Sequence, residues 1–177
     1  IDVLYRSSNC TEEREKLATA LREGLEAENL LFVATGTCTA GGERQEFDND
    51  GWGHCKECLD AKMVIAFENF DPDSEYLSEK PFLGWAHGAV PLYQGNGQAL
   101  MDGVGLRRSS MVDATSFKDT GAFVRRVVEL AKDDARRRQQ RKMVSAEYKR
   151  ADHKAREAQG DAEANRGQSW ALLLNAL

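Results

Sequence analysis

The sequence of 177 residues predicts an α/β fold, a Rossmann-like parallel sheet flanked by helices. Short apolar runs alternate along the chain with stretches of helical periodicity, which is typical of repeated βαβ units. Hydrophobic residues make up 41% of the chain, enough for one domain to bury a core. The first strand, helix and strand fall within about thirty residues, so their strands are predicted to be parallel.

The first unit is the clearest. Asp2–Arg6 has strand propensity. Apolar residues recur after it at spacings of three and four, and they predict a helix over 12–27 with Thr11 as its cap: Leu17, Ala18, Leu21 and Leu25. Leu30–Ala34 is long enough for a buried strand and too short for a helix. The following residues, 35–58, are rich in glycine and polar side chains and are predicted to form a loop.

The second half repeats the alternation with shorter elements. The predicted strands are Met63–Phe67, Ala89–Tyr93 and a short fifth strand over Ser110–Asp113. The predicted helices are Leu77–His87, with Pro81 in its first turn, and Lys118–Asp134, and residues 97–108 are predicted to be loop.

The composition changes after Asp134. Residues 1–135 form the α/β domain, whereas 136–177 carry many charges and few large apolar side chains. This pattern predicts a charged helical or frayed tail, and we favour that reading over an arm that binds nucleic acid. The formal net charge of −5 also argues against a general nucleic-acid binder, which must neutralise phosphates.

Apolar runs such as Met63–Phe67 and Ala171–Leu174 are much shorter than the roughly 18 to 20 residues that span a bilayer. Because the chain starts at Ile1, directly in a predicted strand, we expect it to be a fragment of a longer protein. Membrane attachment is therefore expected only through a segment absent from this chain.

Polar side chains cluster between the third and fourth predicted strands. Glu68 and Asn69 end one strand, and the following helix is opened by Tyr76, Ser78, Glu79 and Lys80. Ligands of parallel sheets bind outside the carboxyl ends of the strands, and helix N-termini favour anions. A lysine in a first helical turn is unfavourable for the helix dipole unless an anion such as a diphosphate lies there. Glu79 could accept hydrogen bonds from sugar hydroxyls. The composition alone favours a plainer reading, a capped surface helix with an incidental Glu-Lys pair.

The four cysteines leave two interpretations open. Cys38, His54, Cys55 and Cys58 could form a zinc site, because thiolates and imidazole are zinc ligands, although a single CxxC is a weak signal. Cys10 and Cys38 follow adjacent predicted strands and could instead form a disulfide. Structural cysteines, paired or free, are the favoured interpretation.

Several motifs occur in the order and at nearly the spacing found in the α1,3-fucosyltransferases. Val64–Asn69 (VIAFEN), Tyr76–Lys80 (YLSEK) and Ala89–Gly95 (AVPLYQG) resemble the family's LAFENS, DYVTEK and AVPVVLG. Upstream, Ser8–Cys10 with Arg14 resembles its SNC…R pattern, and Gly36–Cys38 its YGxC. Downstream, the stretch from Phe117 resembles DFxSPxxLAxYL, so the resemblance covers about residues 3–135.

This resemblance implies the GDP-fucose-binding half of a GT-B glycosyltransferase. The implied reaction transfers L-fucose with inversion to a hydroxyl of a glycan or glycoprotein, in α1,3 linkage to GlcNAc. It implies that Arg14 and Lys80 bind the diphosphate with Tyr76 nearby, that Asn69 lies near the guanine and that Glu79 lies near the ribose. No metal and no cofactor beyond the donor substrate is expected, because two cations can offset a diphosphate.

The family's catalytic base belongs to an N-terminal acceptor domain that is expected to be absent from this chain, so we assign no catalytic residue. For a eukaryotic member the expected location is the Golgi lumen. Two other functions remain open, a non-catalytic interaction module with the same fold and a zinc-stabilised binding module.

Overall fold

The computed structural model describes residues 1–43, 56–69, 76–98, 100, 110–135, 138–139 and 142. Within them, five parallel strands form one sheet in the order β2-β1-β3-β4-β5. The strands are β1 (Val3–Ser7), β2 (Phe32–Gly36), β3 (Met63–Phe67), β4 (Val90–Gln94) and β5 (Val112–Asp113). The helices are α1 (Glu12–Glu26), α2 (Lys56–Asp60), α3 (Lys80–Ala86) and α4 (Thr120–Lys132), with a 3-10 turn at Ala114–Ser116. The predicted α/β class is confirmed.

Helices cover both faces of the sheet, as expected for parallel strands. On one face, α1 and α4 bury their apolar stripes against alternate residues of β1, β2 and β3, and Phe67 contacts Phe123 with ring centroids 6.5 Å apart. On the other face, Leu4, Val33 and Val64 pack with Cys58 of α2. Because β3 is buried on both faces, it is a continuous apolar run rather than an alternating one.

The element boundaries differ from the prediction in several places. β2 begins at Phe32 rather than Leu30, because Leu30 donates its N–H to the Leu25 carbonyl to close the end of α1, with Asn29 at φ 56°. Leu31 is consequently 51% exposed instead of buried. β5 is limited to Val112–Asp113.

Two predicted loops contain helix. Within 35–58, residues from Lys56 onward belong to α2, and within 97–108 the described residues Gly97, Gln98 and Leu100 are helical. Thr11 occupies the N-cap position of α1, but its hydroxyl makes no capping hydrogen bond, so the predicted cap is wrong in that respect.

The division at residue 135 stays a prediction, since most of 136–177 lies outside the described residues. Among the residues that are described, no helix is long and apolar enough to cross a membrane.

Candidate functional site

The carboxyl ends of β1 and β3 form a topological switch point of the sheet. The chain leaves β1 toward β2 and leaves β3 toward β4, so the connections diverge at this point of the sheet. β1 pairs with β2 over five residues, but with β3 only through Val3–Met63 and Leu4–Val64 at the amino ends. The two strands therefore separate toward their carboxyl ends. This topological switch point is where open α/β sheets bind ligands.

Arg14 reaches this switch point from the first turn of α1. It continues the buried stripe of Ala18, Leu21 and Leu25, which explains why the residue is only 3% exposed. Its Nη1 donates to the Asn9 carbonyl and to Asn69 Oδ1, both at 2.6 Å, and its Nη2 donates to Ser7 Oγ at 2.5 Å. The contact with Asn69 bridges the switch point and brings together two residues that the sequence predicted to share a site.

The charge of Arg14 is not balanced by an acidic neighbour. All three acceptors are uncharged oxygens, and among the described residues no carboxylate lies within ion-pair distance of the guanidinium. Its Nε is buried and has no hydrogen-bond partner within the described part of the chain. A buried cation without a counterion is costly, so an anion bound at this place would be stabilised strongly.

Lys80 lies near the carboxyl end of β3 and has an acidic partner there. Its Nζ is 3.3 Å from Glu68 Oε2 and 3.2 Å from Ser78 Oγ. Glu68, which directly follows β3, is 4% exposed. Its carboxylate also accepts the Ser78 N–H at 2.9 Å and the Ser78 hydroxyl at 2.5 Å.

These contacts correct the prediction for α3. The helix begins at Lys80 rather than Leu77, because Pro81 has no N–H to donate to the Leu77 carbonyl and is tolerated only in a first turn. Ser78, before the helix, is held instead by Glu68. The helix has only seven residues. Glu68 therefore accounts for a lysine in the first turn, and an anion bound to the helix dipole is not needed to explain it.

Tyr76 and Glu79 flank the same segment. Tyr76 is 40% exposed, and its pKa is raised by partial burial and by the negative charges of Glu68 and Glu79. Glu79 stands at the N-cap position of α3 without forming a side-chain cap. Both lie on the segment that carries Lys80, and the roles predicted for them in binding a nucleotide stay predictions.

Gly95 closes the site beside Glu68. The Glu68 N–H donates to the Gln94 carbonyl at 2.8 Å, which joins the ends of β3 and β4. A Cβ atom on Gly95 would lie 2.7 Å from Glu68 Cγ and 2.5 Å from Tyr93 Oη. The Tyr93 hydroxyl is buried and finds no hydrogen-bond partner among the described residues. Burial, together with the charges of Glu68 and Asp113, raises its pKa.

Sequence reasoning gave no role to Ser7, Glu68 or Ser78. A signal for Glu68 was present, because it follows a fully buried strand immediately, and a carboxylate at such a place must be paired. Ser7 and Ser78 carry no comparable signal, since serine is common in loops.

The described cysteines are in disulfides, and the zinc interpretation is wrong. Cys10 is bonded to Cys38, with their Cα atoms 5.3 Å apart, and the bond joins the loops that follow β1 and β2. Cys58 is also disulfide-bonded. An oxidised cysteine offers no thiolate, so neither Cys38 nor Cys58 can bind zinc in this state. His54 and Cys55 lie outside the described residues, and the described ones contain no other cluster suited to a metal.

The fold resembles that of three solved structures. They are crystal structures of α1,3-fucosyltransferase, one without a named ligand, one with GDP-fucose and one with GDP. The TM-scores are 0.61, 0.59 and 0.60, the sequence identities are 15%, 15% and 18%, and each match covers 79% of this chain. No protein-family model and no curated protein sequence matches the chain. This chain thus has a fucosyltransferase-like fold, and it spans 36% to 38% of the length of those enzymes.

Proposed function

We propose that this chain is the donor-binding part of an α1,3-fucosyltransferase and that residues 1–135 bind GDP-fucose. The complete enzyme would transfer L-fucose with inversion to a hydroxyl of a glycan or glycoprotein. Its general base would come from a separate acceptor domain. The disulfides are consistent with an oxidising compartment, of which the Golgi lumen expected from the resemblance is one.

The observation that carries this proposal is the placement of two cations at the switch point. Arg14 contacts Asn69 and Lys80 contacts Glu68, so two consecutive residues at the end of β3 receive a guanidinium and an ammonium. A nucleoside diphosphate fits such a place, because its negative charges are close together and each can accept charge-assisted hydrogen bonds.

The arrangement also suits the proposed reaction. When the bond between fucose and the diphosphate breaks, negative charge increases on the leaving phosphate. Cations that are already held in place stabilise that charge at little cost of reorganisation. Arg14 would contribute more than Lys80, because Glu68 already balances the charge of Lys80.

The proposal is tested by calorimetric titration of the purified chain with GDP, GDP-fucose, GDP-mannose and UDP. We expect GDP and GDP-fucose to bind and UDP to give no heat. Arg14→Ala and Lys80→Ala should each weaken GDP binding about tenfold or more, since hydrogen bonds to charged groups contribute about 1.5–3 kcal/mol. Circular dichroism would verify that each variant is folded.

Two matched substitutions serve as controls. Arg22 lies on the same helix as Arg14 and pairs with Glu26, and Lys62 pairs with Asp2 at the amino end of β3. Arg22→Ala and Lys62→Ala should leave GDP binding unchanged. If Arg14→Ala and Lys80→Ala also bind GDP like the parent, the site is assigned wrongly. Binding of GDP without transfer in the full-length protein would favour the non-catalytic module instead.

A further inference from the structure

We infer that Glu68 is a positioning residue for Lys80. Its carboxylate fixes the Lys80 ammonium group in the orientation that contacts the diphosphate. This inference rests on the proposed function, but it concerns a residue that the motifs alone leave without a role. Its basis is the set of contacts around the carboxylate.

The Glu68 carboxylate is held firmly from the protein side. Oε1 accepts the Ser78 N–H, and Oε2 accepts the Ser78 hydroxyl and faces Lys80 Nζ. The residue is 4% exposed, and its backbone N–H is bonded to the Gln94 carbonyl. Because the backbone and both carboxylate oxygens are fixed, Glu68 offers Lys80 a rigid acceptor.

Lys80 receives two such acceptors. Its Nζ lies 3.3 Å from Glu68 Oε2 and 3.2 Å from Ser78 Oγ, so two of its three N–H groups have partners in the protein. Among the described residues no third acceptor contacts Nζ, so its third N–H can donate to a ligand. A lysine side chain that is free in solution loses considerable rotamer freedom when it is fixed, and here that loss is incurred on folding rather than on binding.

Electrostatic repulsion by Glu68 would change the affinity for GDP in the opposite direction. The negative charge of Glu68 would repel a bound diphosphate, and its removal would then strengthen binding. Positioning is expected to dominate, because Lys80 and the two Ser78 donors already surround the carboxylate. The sign of the change in affinity therefore distinguishes the two effects.

The test is a double-mutant cycle on GDP binding with Glu68→Gln and Lys80→Ala. Glutamine keeps the size of the side chain and one acceptor for Ser78, but it loses the charge that holds the ammonium. In the parent, Glu68→Gln should weaken GDP binding about tenfold, whereas in the Lys80→Ala background its effect should be less than about twofold. A merely structural role would weaken binding equally in both backgrounds.

A control carboxylate is available near the same edge of the sheet. Glu15 accepts hydrogen bonds from the Tyr5 hydroxyl at 2.5 Å and from the Ala40 N–H at 3.0 Å. Glu15→Gln should change the affinity for GDP by the same factor in the parent and in the Lys80→Ala background. In the ligand-free protein, the NMR signal of the Lys80 ammonium should exchange slowly in the parent and be lost in Glu68→Gln.

The outcomes separate this inference from the proposed function. If the parent binds GDP and the effects of Glu68→Gln and Lys80→Ala are additive, or if Glu68→Gln strengthens binding, Glu68 does not position Lys80 and only this inference is overturned. If the parent binds neither GDP nor GDP-fucose, the proposed function fails and this inference fails with it.

Discussion

Replacing Gly95 by alanine is the sharpest steric test of the site. The new Cβ would lie 2.5 Å from Tyr93 Oη and 2.7 Å from Glu68 Cγ, well inside van der Waals contact. Neither neighbour can move easily, because Tyr93 is fully buried and Glu68 is held by Ser78. Gly95 does not adopt a positive φ, so alanine is not excluded by the backbone and the effect is one of space alone.

The magnitude follows from two opposing contributions. Overpacking costs about 1–3 kcal/mol, and alanine recovers about 0.4–1 kcal/mol by restricting the unfolded chain. Because both contacts involve buried side chains, we expect the free energy of unfolding to fall by about 2 kcal/mol. For a chain of this length that corresponds to a decrease of about 4–8 °C in Tm.

Urea denaturation followed by circular dichroism measures this change, with Gly121→Ala as the control. Gly121 lies in α4, and a Cβ there would be 3.3 Å from the mobile end of Arg125 and from Asp119 Oδ1. That variant should be neutral or more stable by up to about 1 kcal/mol, through helix propensity. If Gly95→Ala is as stable as the parent, Tyr93 and Glu68 do not pack against Gly95 in this way.

Three further predictions concern stability. Replacing Cys10 and Cys38 by serine removes a disulfide between residues 28 apart and should lower the free energy of unfolding by about 3–4 kcal/mol on the chain-entropy model. A loss below about 1 kcal/mol in thermal unfolding would show that the disulfide does not stabilise the fold in this way. Leu21→Ala, at a fully buried position, should cost about 2–5 kcal/mol in urea denaturation, whereas Leu31→Ala, at a half-exposed one, should cost less than about 0.5 kcal/mol, and equal losses would contradict the assigned burial. Burial opposes ionisation of Asp2, but its ion pair with Lys62 and its hydrogen bond from the Leu31 N–H lower its folded pKa below the unfolded value of about 4. The ionised carboxylate therefore stabilises the fold above about pH 4, and this stabilisation is lost as the pH falls through the folded pKa. Asp2→Asn should therefore be less stable than the parent at pH 7 and equal to it at low pH, and a difference that does not depend on pH would exclude this mechanism.

The elements with strong local signals were predicted well. β3 matches Met63–Phe67 at both ends, because an uninterrupted apolar run leaves no alternative. α1 was predicted within one residue, because its stripe of buried side chains recurs at helical spacing. β2 and α3 were placed two or three residues too early. The start of β2 depends on the Leu30–Leu25 hydrogen bond that closes α1, and the start of α3 on the position of Pro81. The residues before α3 are held by the Ser78–Glu68 hydrogen bond, which joins residues ten apart.

In the candidate site, too, local sequence signals were predictive and contacts between distant residues were not. The sequence alone determined an alternating α/β chain, a parallel sheet and a set of polar residues after β3, since these depend on periodicity and on the types of neighbouring residues. Only the tertiary structure decided that Arg14 meets Asn69, that Glu68 holds Lys80 and that Cys10 joins Cys38. These contacts connect residues 12 to 55 positions apart, and the strand order and the direction of each loop bring them together. Local propensity carries no information about such distances, because it reports only on neighbours along the chain.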